Sequence, residues 1–379
     1  MKVRFLHSSD WQLGVTRHFL TADAQARWSA ARFDAICALG RVAAAEGCEF
    51  VVVAGDIFES NQVDRGTVAR ACEALAAIPK PVFLLPGNHD PLDAVSVFRS
   101  ASWSVKKPAH VHVIEDLGRP VEVRPGVEVA GAPWTSKRPL KDLVAAAASE
   151  LDPFAGGVRV LVAHGAVDVL SPDRDNPALI RLSDAERAIA ESRFHYLALG
   201  DRHSFTRVGD SGRICYCGTP EVYDFDEVDP GHVVVAEIGP EGVVTTPHRV
   251  GTWRFPKYPA DVSSAEDVEA LARHLESIPD KGRTAIKLAL KGTLTIRQRA
   301  HLDETLEHAR DVFAAVVQSE SGSELAVVPN DSDFDGLTLS GFAASAVQKL
   351  RAQAAAPGSE AAVAHDALTL LVRLVGRNA

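Results

Sequence analysis

Short apolar runs rich in Val, Leu and Phe alternate with longer Ala-rich amphipathic stretches through the first half of this chain. That alternation restricts the first half to a layered α/β domain, because only strands flanked by helices bury both kinds of segment at once. The strand-like runs are residues 3–7, 50–53, 82–85, 158–163 and 196–199. Residues 23–46 and 64–78 carry apolar side chains at helical spacing and open on Asp, a good N-cap. Farther on, 213–217, 231–238 and 243–250 are β-rich and punctuated by Gly-Pro and Glu-Gly, so they are expected to form hairpins that complete a second sheet. The first domain is therefore placed at 1–250.

After Trp253 the pattern changes. Residues 265–277 and 296–309 read as helices and 283–290 and 312–318 as strands, a small α+β unit assigned to 251–330. Beyond a polar stretch at 329–336, two helical segments, 340–353 and 359–375, are split by Ala-Pro-Gly-Ser, and 331–379 is assigned to this C-terminal helical segment. At roughly 150 residues per domain, 379 residues fit one long domain with smaller appendages.

Acidic residues outnumber basic ones, 50 to 40, for a net charge of −10. No overall basic field draws in nucleic acid, and any such contact must use a local patch or a bound cation. No signal-like segment and no run of eighteen apolar residues is found, which leads us to expect a cytoplasmic protein with no membrane contact. The five cysteines include no C-x-x-C pair and are expected to be reduced thiols. Cys215 and Cys217 share one face of a strand, where packing is favoured over a metal role.

The informative residues follow the strand-like runs. Asp10 follows the first, Asp56 the second, Asn88-His89-Asp90 the third, His164 the fourth, and Asp201 with His203 the fifth. Ligand sites of open α/β sheets form beyond the carboxyl ends of strands, so these residues are expected to converge. Glycine precedes Asp56, Asn88 and Asp201, allowing tight departures from the strands. Two unit charges 4 Å apart repel by about 4 kcal/mol at an effective dielectric near 20, so Asp10, Asp56 and Asp201 call for a cation. Two divalent ions bridged by one carboxylate suit in-line displacement at phosphorus, with hydroxide generated near neutral pH.

These residues resemble the ordered motifs of calcineurin-like metallophosphoesterases: D-x-H, GD, GNH(D/E), H and G-H-x-H. Residues 5–14, Phe-Leu-His-Ser-Ser-Asp-Trp-Gln-Leu-Gly, are similar to the start of SbcD-type DNA repair exonucleases, as are Gly55-Asp56-Ile57-Phe58-Glu59, Pro86-Gly87-Asn88-His89-Asp90 and Gly218-Thr219-Pro220-Glu221. The resemblance implies a two-sheet α/β/β/α core with a small capping domain and C-terminal helices. It further implies that Asp10 and His203 bind one ion, Asp56 bridges, and Asn88 and His164 bind the second. His89 would face the scissile phosphate as a catalytic residue, oriented by Asp90.

Two positions depart from the family pattern. Gln12 replaces the histidine of D-x-H and Asp201 the first histidine of G-H-x-H. Both offer oxygen, Gln12 as a weaker amide ligand, and this shift favours manganese, or magnesium, over zinc. Arg17, His18 and Arg202, with Arg207, are candidates for the DNA backbone, and Trp11 either stacks on a base or packs as core.

The function so implied is metal-dependent DNA hydrolysis in repair, with an SbcC-type ATPase docked on the C-terminal helices and dimerisation through the core. The metal motifs equally suit a phosphatase or cyclic-nucleotide phosphodiesterase. Gln12 leaves open a third reading, a non-catalytic DNA-binding or assembly subunit.

Overall fold

In the computed structural model, which describes residues 1–319, 322–327, 342–358 and 360–376, the first three apolar runs become β1 (Val3–Ser8), β2 (Val51–Ala54) and β3 (Val82–Leu85), side by side and parallel. They are connected through α1 (Ala22–Ala45) and α2 (Arg65–Ala76), with α3 (Ala101–Lys106) following β3. Asp64 caps α2 as its position suggests, accepting from the Thr67 amide at 3.0 Å. Asp23 does not cap α1; it lies inside the first turn, and the Thr21 hydroxyl accepts from the Ala24 amide at 3.2 Å instead. β4 (Val111–Val113) extends the sheet beyond β3.

The next strands are β5 (Val121–Arg124), β6 (Val127–Ala132), β7 (Val158–His164), β8 (Tyr196–Gly200), β9 (Thr206–Val208) and β10 (Ile214–Tyr216). They form a second sheet in the order β5-β6-β7-β8-β10-β9, and α4 (Leu143–Ser149) and α5 (Leu182–Ala190) pack on its outer face. One expectation is overturned. The hairpin of β11 (His232–Gly239) and β12 (Gly242–Arg249) does not complete the second sheet but pairs antiparallel with β1, giving a first sheet ordered β12-β11-β1-β2-β3-β4. The reason is that β11 is apolar on both faces, with Val233 and Val235 in one core cluster and Ala236 and Ile238 in another, so it must lie within a layered sheet, where it covers the open edge of β1.

Period-two alternation distributes each strand between two cores. Val51 and Val53 face Ile36, Leu39, Val68 and Leu75 of the helices, whereas Val52 and Ala54 meet Val160, Val162 and Tyr196 of the other sheet. Leu161, Ala163, Leu197 and Leu199 turn outward onto Ala147, Ala185 and Ile189. The result is an α/β/β/α sandwich. The chain divides into two units, Met1–Arg17 with Gln25–Trp253, and His18–Ala24 with Arg254–Ala379; the sandwich is the first.

The second unit holds a parallel sheet of β13 (Lys257–Asp261), β14 (Ala285–Leu294), β15 (Ala315–Gln318) and β16 (Glu324–Val327). Its apolar face is covered by α6 (Ala265–Ser277) and α7 (Ile296–Val312). Helices α8 (Phe342–Ala354) and α9 (Glu360–Gly376) add Val347, Ala354, Ala364 and Leu368 to a cluster with Ile296 and Ala300 of α7. The polar stretch 329–336, the boundary at 330/331 and the helix starts at 340 and 359 lie outside the described residues. No helix among the described residues is long and apolar enough to cross a membrane.

His7 is a buried polar residue of β1, its Nδ1 3.3 Å from the Tyr196 hydroxyl and its Nε2 3.2 Å from the Leu199 carbonyl. Burial pushes its imidazole down to about 3, against the bond to Leu199, so the folded state holds it neutral. Its contribution to stability is complete above pH 6.5, the ordinary histidine value, and is lost as pH falls toward 3. The loss should reach about 4–5 kcal/mol. Urea midpoints with chelator present should fall between pH 7 and pH 4.5, less steeply in His7→Leu; parallel pH slopes would show that other groups control acid unfolding.

Candidate metal centre

The carboxyl ends of β1, β2 and β3 and of β7 and β8 meet at one edge of the sandwich. Among the described residues, seven other than glycine have positive φ, and Asp10 (55°), Gln12 (48°), Asp56 (54°) and Asp201 (97°) are four of them. Such backbone costs on the order of 1–3 kcal/mol per residue and persists where surrounding bonds impose it. Those bonds are visible: the amides of Asp10 and Gln12 donate to the carbonyls of Gly55 and Asp56 at 3.1 and 2.9 Å. Glycine permits the convergence. A Cβ on Gly200 would lie 1.8 Å from the Ala54 carbonyl, and one on Gly87 would lie 2.2 Å from Asp56 Oδ1.

One ligand atom from each of Asp10, Asp56 and His164, all buried, lies within 4.8 Å of the other two. Asp56 Oδ2 occupies the middle: Gln12 Nε2 donates to it at 3.3 Å, and His164 Nε2 is 3.4 Å away. His164 Nε2 is also 2.7 Å from Asn88 Oδ1 and 3.8 Å from Asp201 Oδ1. On the other side His203 Nε2 lies 3.9 Å from Asp10 Oδ1. Asp10 accepts from the Ser9 hydroxyl at 2.5 Å and from the Asp201 amide at 3.2 Å. The seven residues expected as ligands are thus brought together.

The electrostatics favour a cation. Burial pushes the Asp10 carboxyl up, and Asp56 adds to this, while His203 and His164 counter it. Asp56 is driven up by burial but held below the usual carboxylate range by His164 and His89. Burial lowers the His164 imidazole, yet Asp56, Asp10 and Asp201 lift it well above its ordinary value. The acidic cluster therefore favours positive charge at His164, the place a bound cation would take. Gln12 Oε1 supplies an independent sign of fit: it is buried and has no hydrogen-bond partner, a cost on the order of 1–3 kcal/mol that a bound cation would remove.

His89 is part of this edge but not of the ligand cluster. Its amide donates to Asp56 Oδ1 at 3.0 Å, its Nδ1 lies 2.9 Å from the Glu59 carbonyl, and its Nε2 is 4.0 Å from Asp56 Oδ2. The expectation that Asp90 orients this ring is corrected. Both Asp90 oxygens accept backbone amides, from Phe58 at 2.9 Å and Gly87 at 2.8 Å, and burial together with Asp56 pushes its carboxyl up to about 7. Asp90 shapes the turns, and the Glu59 carbonyl holds the imidazole.

The candidates for DNA contact separate. Arg202 is exposed, with Nε donating to Thr206 Oγ1 at 2.9 Å. Arg17 lies 3.6 Å over the Tyr223 ring and donates from Nε to the Tyr223 carbonyl at 2.8 Å, and Arg207 is engaged with Thr245. Neither guanidinium is presented as a free phosphate ligand. His18 falls in the second unit. Trp11 is core, its Nε1 donating to Ser8 Oγ at 2.8 Å, and Cys215 and Cys217 are buried, with Cys217 Sγ 3.1 Å from Ser9 Oγ. Glu59 and Glu227 were missed in the sequence because they sit in loops without a strand-end position; Glu227 Oε1 is 2.7 Å from His203 Nδ1.

Residues 3–236 match the family model of calcineurin-like phosphoesterases, and the chain belongs to that family of phosphoester hydrolases. A stretch of 122 residues is 30% identical to the SbcD subunit of the SbcCD nuclease of Rhodobacter capsulatus, covering 31% of this chain and 28% of the length of that protein. Among solved structures, TT1561 of Thermus thermophilus aligns with a TM-score of 0.42 and 10% identity over 66% of this chain and all of that one. A dimetal phosphatase from Danio rerio aligns with a TM-score of 0.40 and 13% identity, covering 65% and 96% of the two chains.

Proposed function

We propose that this protein is a divalent-metal-dependent nuclease that hydrolyses phosphodiester bonds in DNA, working in repair with an SbcC-type ATPase. The observation that carries the reading is the place of Asp56 between the two half-sites: one ligand atom from each of Asp10, Asp56 and His164 lies within 4.8 Å of the other two, which suits a carboxylate shared by two ions. Asp10, Gln12 and His203 would hold one ion, Asn88, His164 and Asp201 the other. Manganese is favoured by the oxygen-rich donor set. When bound, such ions activate water and neutralise charge on the phosphoryl group. Around them, His89 keeps Nδ1–H on the Glu59 carbonyl, so it is the imidazolium form, with its second proton on Nε2, that would protonate the departing oxygen and be left as the neutral ring. Exposed Arg202 is suited to the substrate backbone.

DNA as substrate is supported by the partial similarity to an SbcCD nuclease subunit. The same similarity supports the ATPase partner, for which α9 offers exposed Val363 and Leu370, seven residues apart on one helix face. The test is release of nucleotides from linear single- and double-stranded DNA by purified protein. Cleavage with manganese that stops with chelator is expected. Hydrolysis of a small phosphoester without DNA cleavage would replace the polymer by a small substrate, and inactivity on both would favour the non-catalytic subunit.

A further inference from the structure

The two histidines of the centre are supported unequally. His164 Nδ1 lies 2.8 Å from a neutral backbone carbonyl, that of Ala54. His203 Nδ1 lies 2.7 Å from the carboxylate of Glu227, whose side chain is only 6% exposed. The other Glu227 oxygen accepts the Tyr223 amide at 2.8 Å, so both oxygens are committed and the side chain is locked. The Tyr223 ring then flanks His203 edge-on, 4.8 Å between centroids. A carboxylate acceptor keeps hydrogen on Nδ1 and leaves the Nε2 lone pair free, and it makes the imidazole a stronger ligand than a carbonyl does. That Nε2 lies 3.9 Å from Asp10 Oδ1. Two ligand atoms each about 2.1 Å from one ion lie no more than about 4.2 Å apart, so the pair is spaced for a shared ion.

We propose that Glu227 is the positioning residue of the Asp10/Gln12/His203 half-site, fixing the His203 ring with Nε2 available and thereby setting how tightly that half is loaded. The inference rests on the metal-dependent reading above, and its test separates the two. Manganese binding to the full chain, followed by loss of the free-ion EPR signal, should count two ions in the wild type. In Glu227→Gln one ion should weaken by about 10- to 100-fold with the other unchanged. Glu227→Asp, which keeps a carboxylate at shorter reach, should fall between them and serves if the glutamine variant does not fold. Independently of metal, long-range proton–nitrogen correlation spectra of metal-free protein at pH 9 should report the Nδ1–H tautomer of His203 in the wild type and its loss in Glu227→Leu, which offers Nδ1 no acceptor. An unchanged tautomer, unchanged affinity for both ions, or equal weakening of both would overturn the proposal. Absence of manganese binding by the wild type would instead defeat the metal reading, and the tautomer comparison would still decide the role of Glu227.

Discussion

Asp56→Ala is expected to abolish manganese-dependent hydrolysis, lowering kcat/KM by at least 10³-fold, which corresponds to about 4 kcal/mol of transition-state stabilisation. Asp56 is the carboxylate that touches both halves of the centre, through Gln12 on one side and His164 on the other. Its removal should therefore weaken both ions, unlike a change at Glu227. The metal-free protein should still fold. The variant leaves the His89 amide without its acceptor, a loss on the order of 1–3 kcal/mol, but it also removes a negative charge that raises the cost of ionising Asp10 and Asp90. Activity within tenfold of the wild type, with an unchanged circular dichroism spectrum, would remove Asp56 from the bridging position.

His89→Asn is expected to lower kcat by about 10²- to 10⁴-fold while leaving KM and manganese binding close to the wild type. The main-chain bond from residue 89 to Asp56 Oδ1 does not depend on the side chain, and the imidazole approaches Asp56 Oδ2 no closer than 4.0 Å, so the ligand cluster should persist. The role of the ring can be read from the leaving group. With an activated p-nitrophenyl diester, whose leaving oxygen needs no proton, the loss should shrink markedly compared with DNA. An equal loss on both substrates would exclude proton donation and leave charge stabilisation as the contribution of His89.

How far such expectations can be made before any fold is known depends on the kind of residue. Asp10, Asp56, Asn88, His164 and Asp201 were legible because each lies within three residues of the end of an apolar run, and the rule that α/β sheets bind beyond their strand ends holds without knowing which strands are neighbours. Asp90 was misread for the same reason. Its place in Gly-Asn-His-Asp suggested a partner for His89, whereas its oxygens are consumed by the amides of Phe58 and Gly87. Arg17 was read as a free charge because nothing local reveals Tyr223, more than two hundred residues away, beneath it. Glu227 is invisible in the same way: its value lies entirely in one contact across the fold.

The sequence by itself determined the elements and the candidate residues: strands and helices from hydrophobic period, and the polar side chains that converge beyond them from residue type near strand ends. Tertiary structure decided everything that depends on which segments become neighbours. It divided β1–β3 and β7–β8 between two sheets, and it drew the β11–β12 hairpin to the open edge of β1. It also assigned each polar side chain its partner, because hydrogen bonds and charge interactions act only within a few ångströms, and no local pattern encodes distances between residues that meet only on folding.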